Sequence, residues 1–486
     1  MGSADVLWLN MDRPTNLMVI VSVVLLESVP DWDRVLDVVR ERIVEPYPVF
    51  SQRARRPRGL SGHRWEDDPD FELARHVTRV TLSGAGTAAD ADAELQAYIE
   101  EHLPRPFDRT RPLWEVHLVD GHGPGAALVF RIHHALADGI ALTRVLLGLT
   151  EDADGRPGDL VGPAATAELA ALPLAVPSGA GGAGGGGGRD VAASALRLAG
   201  TTARAGWDRL RTKGARAAVT DAAGLTLRTG QVVSDLLLTT NPTSAVGGVP
   251  GHRKRLVWTE PLPLPGLKQA GRLVGATLND VLLSAVAGAL HTYQAERGRQ
   301  PVDLVTMVPV NVRPLDEPLP RELGNRFALV FLRFPSRDAT PLGRLALSKA
   351  RMDWLKASPE AALTFALINV IGRVPAAVER RVVDFFADKA IGVTTNVAGP
   401  REVRYLAGVA VTGVLGWVPG SGRHTLGFCI VTYDDAVRIG IMADESVVPD
   451  PESLLTALED EVALLVRIGE AGSGGPTGPR RRRRRS

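Results

Sequence analysis

Cysteine is nearly absent: the 486 residues contain one, Cys429. A lone cysteine excludes an internal disulfide and a metal site built on cysteine ligands, and a reducing, cytoplasmic location is the simplest fit. Charge of one sign is lacking too. The chain carries 56 Lys and Arg against 55 Asp and Glu, a net charge of +1, with a pI near 8.0, so no global field suits nucleic acid as a partner. Long apolar runs are missing. Leu17 to Leu26 is apolar but too short to cross a bilayer, and no other run reaches the needed length. The opening MGSADVLWLNMDRP has no basic flank or cleavage pattern of a signal peptide. Val6 stands where a myristoylation signal needs Ser or Thr. No Gly-x-Ser-x-Gly element precedes a helix, which argues against a serine hydrolase.

What is present is concentrated in AALVFRIHHALADGIALTRVLLGL, Ala126 to Leu149. The β-branched run to Ile132 reads as a buried strand, and Ile140, Leu142, Leu146, Leu147 and Leu149 follow at helical spacing. The corner between them holds His133, His134, Asp138 and Gly139, with Asp138 placed to cap the helix or to fix the corner. Neighbouring side chains on a strand point to opposite faces, so one histidine works and the other supports it. For the same reason they cannot share a metal, and none is expected. An imidazole with a pKa near ~6.5 is mostly neutral at physiological pH and can take a proton from an alcohol or amine. Two partly buried histidines before a capping aspartate are the plainer alternative.

The pattern His-His-x-x-x-Asp-Gly resembles the active-site signature of the acyltransferases built like chloramphenicol acetyltransferase. These include peptide-synthetase condensation domains, carnitine acyltransferases and the bacterial wax ester synthase/diacylglycerol acyltransferases. The resemblance implies that His134 is the general base and that Asp138 is structural and tied to an arginine. Arg313 is one candidate, and Arg131 and Arg144 are closer in sequence. Further elements resemble the wax ester synthase/diacylglycerol acyltransferases in particular: Pro112-Leu113-Trp114-Glu115, Asn279-Asp280, Pro309 to Arg313, and Gly324-Asn325. Val397-Ala398-Gly399-Pro400 matches only in part, because the family usually has proline where Ala398 stands. Asn16-Leu17-Met18 also departs from the family's usual start. From the resemblance come Asn279 as the group stabilising charge on the thioester oxygen, and Trp114, Asp280, Arg313 and Asn325 as substrate-binding residues. Read without it, Trp114 starts a strand as a core tryptophan, and Thr277 with Asp280 makes a capping-box-like helix start.

The remaining chain reads as alternating elements. Strands are predicted at Leu17 to Leu26, His76 to Leu82, Trp114 to Leu118 and beyond, Arg255 to Thr259, Val302 to Val310, Phe327 to Phe334, Gly392 to Asn396, Val403 to Val411, Thr425 to Tyr433 and Val437 to Met442. Helices are predicted at Val35 to Val44, Ala88 to Leu103, Gly275 to Leu290, Leu342 to Leu355 and Leu454 to Val466, with two more in Ala361 to Phe386 broken near Gly372 to Pro375. Phe50 to Trp65 reads as loop or hairpin. Cys429 falls mid-strand as a small core residue. Gly181 to Gly188 satisfies a GxGxxG pattern only formally, since no strand precedes it, and it reads as linker. Val191 to Leu238 is helical in pattern.

The fold class expected is therefore α/β, with mixed sheets in two chloramphenicol acetyltransferase-like domains and the active site at their interface. Residues 1–160 carry the histidine motif, 161–250 form a Gly-rich linker and helical crossover, 251–470 the second domain, and 471–486 a disordered Arg-rich tail. The reaction implied is transfer of a fatty acyl group from acyl-coenzyme A, as substrate and with no cofactor, to a fatty alcohol or diacylglycerol. The alternatives are a condensation-type enzyme with a carrier-protein donor, and a non-catalytic lipid-binding or droplet protein. The apolar helix from Ala361 reads as core or as a lipid-facing surface. The arginines Arg480 to Arg485 offer about 1 kcal/mol each to an anionic membrane or lipid-droplet surface, or are a solvated tail.

Overall fold

The computed structural model describes residues 1–56, 63–84, 87–158, 240–311, 318–371 and 376–473. The Gly-rich linker, most of the expected crossover, Arg313 and the arginine tail lie outside the described residues. Strand β1 (Val19–Leu26) is a β-branched run without a turn residue, and it is hydrogen-bonded on both sides. On one side lies β6 (Gly125–His133), which pairs Val19 with His133 and forms a hairpin with β5 (Trp114–His122). Gly123 makes the turn at φ +59°, a conformation that favours glycine. Strand β4 (Val77–Thr81) runs parallel to β5, and helix α3 (Ala88–His102), opened by a Thr87–Asp90 capping box, makes the crossover.

On the other side of β1 lies β13 (Val409–Trp417), from the far half of the chain. Here the single strand predicted over Val403 to Val411 is corrected. The chain makes a hairpin of β12 (Tyr405–Leu406) and β13, turning at Ala407 and Gly408 with φ of +50° and +82°. Such a turn needs positive φ at both central residues, and Ala-Gly is a weaker signal for it than Asn-Gly. The six-stranded sheet runs β12-β13-β1-β6-β5-β4.

The second sheet runs β10-β9-β11-β14-β15-β7, where β7 is Lys254–Trp258, β9 Leu304–Asn311, β10 Phe327–Phe334, β11 Gly392–Ala398, β14 Leu426–Tyr433 and β15 Ala436–Asp444, with the short β8 (Leu262–Pro263) on β15. Alternation divides its two faces. Ala328, Val330, Leu332, Phe428, Ile430, Ile439 and Ile441 join one apolar core with helices α5 (Leu264–Arg272), α6 (Leu278–Glu296), α7 (Pro341–Lys356) and α10 (Pro451–Ser473). The other face carries Leu329, Phe331, Val393, Cys429 and Val431, and it turns toward β1 and β13. Helices α8 (Glu360–Ile371) and α9 (Ala376–Ala387) lie at its border.

The helix predicted over Val35 to Val44 starts earlier, as α2 (Trp32–Val39), and ends in a π turn, Arg40–Val44. The opening residues, given no element above, form helix α1 (Ser3–Met11). Its first turn is closed by Asp5, which accepts from the Gly2 N–H at 2.7 Å.

Candidate active site

The end of β6 sends its two histidines apart, as alternation requires. His133 is buried. Its Nδ1 accepts from the Ala135 N–H at 3.0 Å, and its Nε2 lies 3.1 Å from Asp12 Oδ2. With Nδ1 accepting, Nε2 is the donor to Asp12. Asp12 also accepts from the Met18 N–H at 2.7 Å and from Arg109 at 3.0 Å. Burial pushes the Asp12 carboxyl up, but His133, Met18 and Arg109 outweigh it and hold it below the usual range. His133 is thereby a brace for the corner.

His134 faces the opposite way. Its Nδ1 lies 3.1 Å from Asn325 Oδ1, and its ring stacks on Trp8 of α1 with centroids 4.1 Å apart and planes 20° apart. Phe327 adds a tilted contact at 6.0 Å. Burial disfavours the imidazolium and pulls the pKa of His134 down to about 4, more than the ring's bond to its own backbone carbonyl, Asp138 and Asn325 raise it. The ring is therefore neutral at physiological pH, with Nδ1–H donated to Asn325 and the Nε2 lone pair unengaged by that bond.

Asp138 caps α4 (Gly139–Gly148), accepting from Ala141 N–H at 2.8 Å through Oδ1 and from Arg326 N–H at 2.9 Å through Oδ2. One buried carboxylate thus ties the helix after the histidines to the start of β10. Arg131, one of the arginines considered for Asp138, donates to Glu115 and to the Arg105 carbonyl, each at 2.6 Å. Gly139 lines the cavity, and a Cβ there would meet no atom of the described residues within 4 Å.

The cavity, of about 270 Å³, lies between the facing sides of the two sheets. Ile20, Ser22 and Val24 of β1 face Cys429 and Val431 of β14 across it, and Trp8, His134 and Arg326 also line it. The register puts Val24 five residues along β1 from the level of His133, or roughly 17 Å at strand rise. The wall is chiefly apolar, which suits a hydrocarbon chain. The Cys429 thiol faces this space but burial pushes its pKa up to about 12, so it is no nucleophile near neutrality. Among the described residues, no three His, Cys, Asp or Glu side chains cluster as metal ligands.

Several residues singled out above stand elsewhere. Trp114 is core: its indole N–H donates to the Phe50 carbonyl at 2.7 Å and its ring stacks on His76, because its strand position turns it from the cavity. Asp280 accepts from the Thr277 N–H and hydroxyl, each at 2.8 Å, as the capping box of α6 requires, and it does not line the cavity. Asn279 is also one layer back. Its Oδ1 accepts from Asn396 Nδ2 at 2.9 Å, and it is Asn396, on β11, that lines the cavity. Asn325 does not line it either, and holds His134 instead. The sequence reading missed Asp5 and Trp8, because it assigned no element to the opening residues, and Asn396, because a lone strand asparagine carries no motif signal by itself.

The catalytic-domain model of the wax ester synthase/diacylglycerol acyltransferases matches residues 1–282, and the C-terminal-domain model of the same family matches residues 323–465. A probable diacylglycerol O-acyltransferase of Mycobacterium tuberculosis is 28% identical over 474 residues, covering 95% of this chain and 94% of its own. A putative diacylglycerol O-acyltransferase of the same species is 29% identical over 444 residues, covering 87% and 86%. In three dimensions the wax ester synthase/diacylglycerol acyltransferase of Marinobacter aquaeolei is similar with a TM-score of 0.64 at 19% identity, over 96% of this chain and 98% of that one. The first condensation domain of the calcium-dependent antibiotic synthetase gives 0.57 at 17% identity, over 96% of each chain. These two solved structures share the fold, a pair of chloramphenicol acetyltransferase-like domains. With one family model spanning more than half the residues and its C-terminal companion following in order, the chain belongs to the wax ester synthase/diacylglycerol acyltransferase family.

Proposed function

We propose that the chain transfers a fatty acyl group from acyl-coenzyme A to the hydroxyl of a long-chain alcohol or diacylglycerol, with His134 as general base. The observation that carries this reading is a neutral imidazole, held at Nδ1 and packed by Trp8, at the wall of an apolar cavity between the two sheets. Nε2 takes the proton of the acceptor hydroxyl as its oxygen attacks the thioester carbonyl. The tetrahedral intermediate then expels the coenzyme A thiolate, which leaves with that proton, so no covalent enzyme intermediate is needed. Proton transfer of this kind contributes about 10²- to 10⁴-fold, and positioning and charge stabilisation supply the remainder. Asn396 is the amide at the cavity wall for the oxyanion, and Asn279 acts through it. Arg326, exposed beside His134, is a cation for the coenzyme A phosphates.

Both acceptors are lipids, and peripheral contact with a membrane or droplet surface belongs to the same reading. Helix α9 supports it, lining the cavity with Val383 and Phe386 while Val378 and Phe385 are exposed at 47% and 46%. No helix among the described residues is long and apolar enough to cross a membrane. The test is ester formation from labelled palmitoyl-coenzyme A with hexadecanol or dioleoylglycerol, beside a folded His134→Ala variant. Ester made by the wild type and lost in the variant is the expected result. Activity surviving in the variant would remove His134 from the mechanism.

A further inference from the structure

The Nδ1 hydrogen of His134 meets two acceptors, its own backbone carbonyl and Asn325 Oδ1, and the orientation of one side-chain amide decides whether the second reinforces or opposes the first. An asparagine amide has an accepting and a donating end of similar size. With Oδ1 toward the ring, Nδ1 carries the hydrogen and Nε2 keeps its lone pair. With Nδ2 toward the ring, a donor faces Nδ1 and favours moving the hydrogen to Nε2, where it blocks proton abstraction, against the pull of the His134 carbonyl.

Asn325 has its Oδ1 toward the ring, and the cause lies on α1. Its Nδ2 donates to Asp5 Oδ1 at 2.9 Å and to the His134 carbonyl at 2.9 Å. Both are acceptors, so the reversed amide would set oxygen against oxygen at two contacts. Asp5 is itself held. It is 3% exposed, and it accepts from the Asn325 N–H at 2.8 Å through Oδ1 and from the Gly2 N–H at 2.7 Å through Oδ2. Gly324, at φ +59°, turns the chain so that both the N–H and the side chain of Asn325 reach this carboxylate. Helix α1 thus supplies both the ring that covers His134, from Trp8, and the carboxylate that orders its amide partner.

We infer that Asp5 is a positioning residue for acyl transfer: through Asn325 it reinforces the His134 tautomer that leaves Nε2 free to take the acceptor proton. The inference rests on the reading of His134 as general base. The other charged or titratable groups facing this relay are Asp138 at the start of α4, His133 behind the ring and the Met1 ammonium near Asp5. All three stay in place in the variants below.

The test uses the full chain and reads kcat, KM for palmitoyl-coenzyme A and the ring-nitrogen NMR signals of His134. Asp5→Leu lowers kcat by about 100-fold or more while KM stays within about twofold, and shifts the His134 signals toward the Nε2–H form. Asp5→Asn keeps an accepting oxygen and stays within about tenfold of wild type. The deciding arm is Asp5→Leu combined with Asn325→Asp. A carboxylate at that position accepts from Nδ1–H in either orientation, so the double variant regains about tenfold or more of the kcat that Asp5→Leu loses. Asp5→Leu with wild-type kcat overturns the inference. So does a folded double variant no more active than Asp5→Leu, because the loss would then come from packing. If Asp5→Leu does not fold, Asp5→Ser, which is too short to reach Asn325, takes its place with the same expectations. His134→Ala separates the two readings. Activity surviving in it removes the general base itself, whereas an inactive His134→Ala beside a fully active Asp5→Leu removes only the relay.

Discussion

The imidazole of His134 is a weak base that is almost never protonated. An unperturbed histidine would lose its base function as pH falls through about 6.5, but burial holds His134 at about 4. The acidic limb of kcat/KM is therefore expected nearer pH 4 than 6.5, measured on detergent-dispersed substrates so that lipid ionisation does not intrude. A limb at 6.5 or above would mean that the ring is solvated in the working enzyme. Gly139 gives a second prediction at this scale. A Cβ there meets no atom of the described residues within 4 Å, and its φ lies outside the left-handed region, so neither their packing nor backbone conformation demands glycine. Gly139→Ala should leave thermal stability unchanged or raised by up to about 1 kcal/mol. Its methyl group enters the cavity beside His134, and kcat/KM should fall about tenfold or more. Equal activity would show that substrate does not approach this side of α4.

At the scale of elements, what the sequence made legible was whatever local chemistry dictates. The Thr277 and Asp280 cap starts α6 where the pattern put it, and the apolar run of β6 ends at the histidines because the polar corner follows. Local chemistry could not show what depends on a distant partner. Helix α1 has no side-chain cap other than Asp5, and its apolar residues become meaningful only when Trp8 meets His134 and Phe327. Likewise β13 leaves the half of the chain that encodes it to pair with β1, which no periodicity reveals. The outer helices offer a test of such distant pairing. Arg344 of α7 donates to both oxygens of Glu461 on α10 at 2.7 and 2.8 Å, with the two side chains 4% and 7% exposed. Gly288 of α6 makes room for that carboxylate, since a Cβ there would lie 2.3 Å from Glu461 Cδ. Glu461→Ala leaves a buried guanidinium without its counter-charge and should cost about 3–5 kcal/mol in denaturant unfolding, whereas Glu461→Met with Arg344→Met should cost much less. Similar losses in the two would show that the pair is hydrated.

Across the whole molecule, the N-terminal segment reaches both sheets, and two buried groups near it, His424 and Glu379, make global stability depend on pH in two opposed ways. His424, in the loop before β14, accepts from Ser421 N–H at 3.1 Å and donates to the Ala387 carbonyl at 3.1 Å, and burial holds its pKa at about 4. The unfolded chain takes up a proton there below about 6.5, which the folded chain refuses until about 4, so acidification through that window destabilises by on the order of 3 kcal/mol. Glu379 of α9 acts in the other direction. Asn10 of α1 donates to one of its oxygens at 3.2 Å, the other has no hydrogen-bond partner among the described residues, and burial raises its pKa from 4.5 to about 7. Folded Glu379 keeps a proton that the unfolded chain releases, so its contribution is complete below about 4.5 and is lost as pH rises through 7. Glu379→Gln is a permanent copy of the protonated form. It should leave stability unchanged at pH 4.5 and raise it at pH 8 by on the order of 2–3 kcal/mol, read from denaturant midpoints at the two pH values. With Glu379 removed, the His424 term is no longer opposed, and the pH of maximal stability should move upward. An equal effect of Glu379→Gln at both pH values would mean that the carboxyl does not change its charge between them, and that the junction of α1 with α9 is open to water.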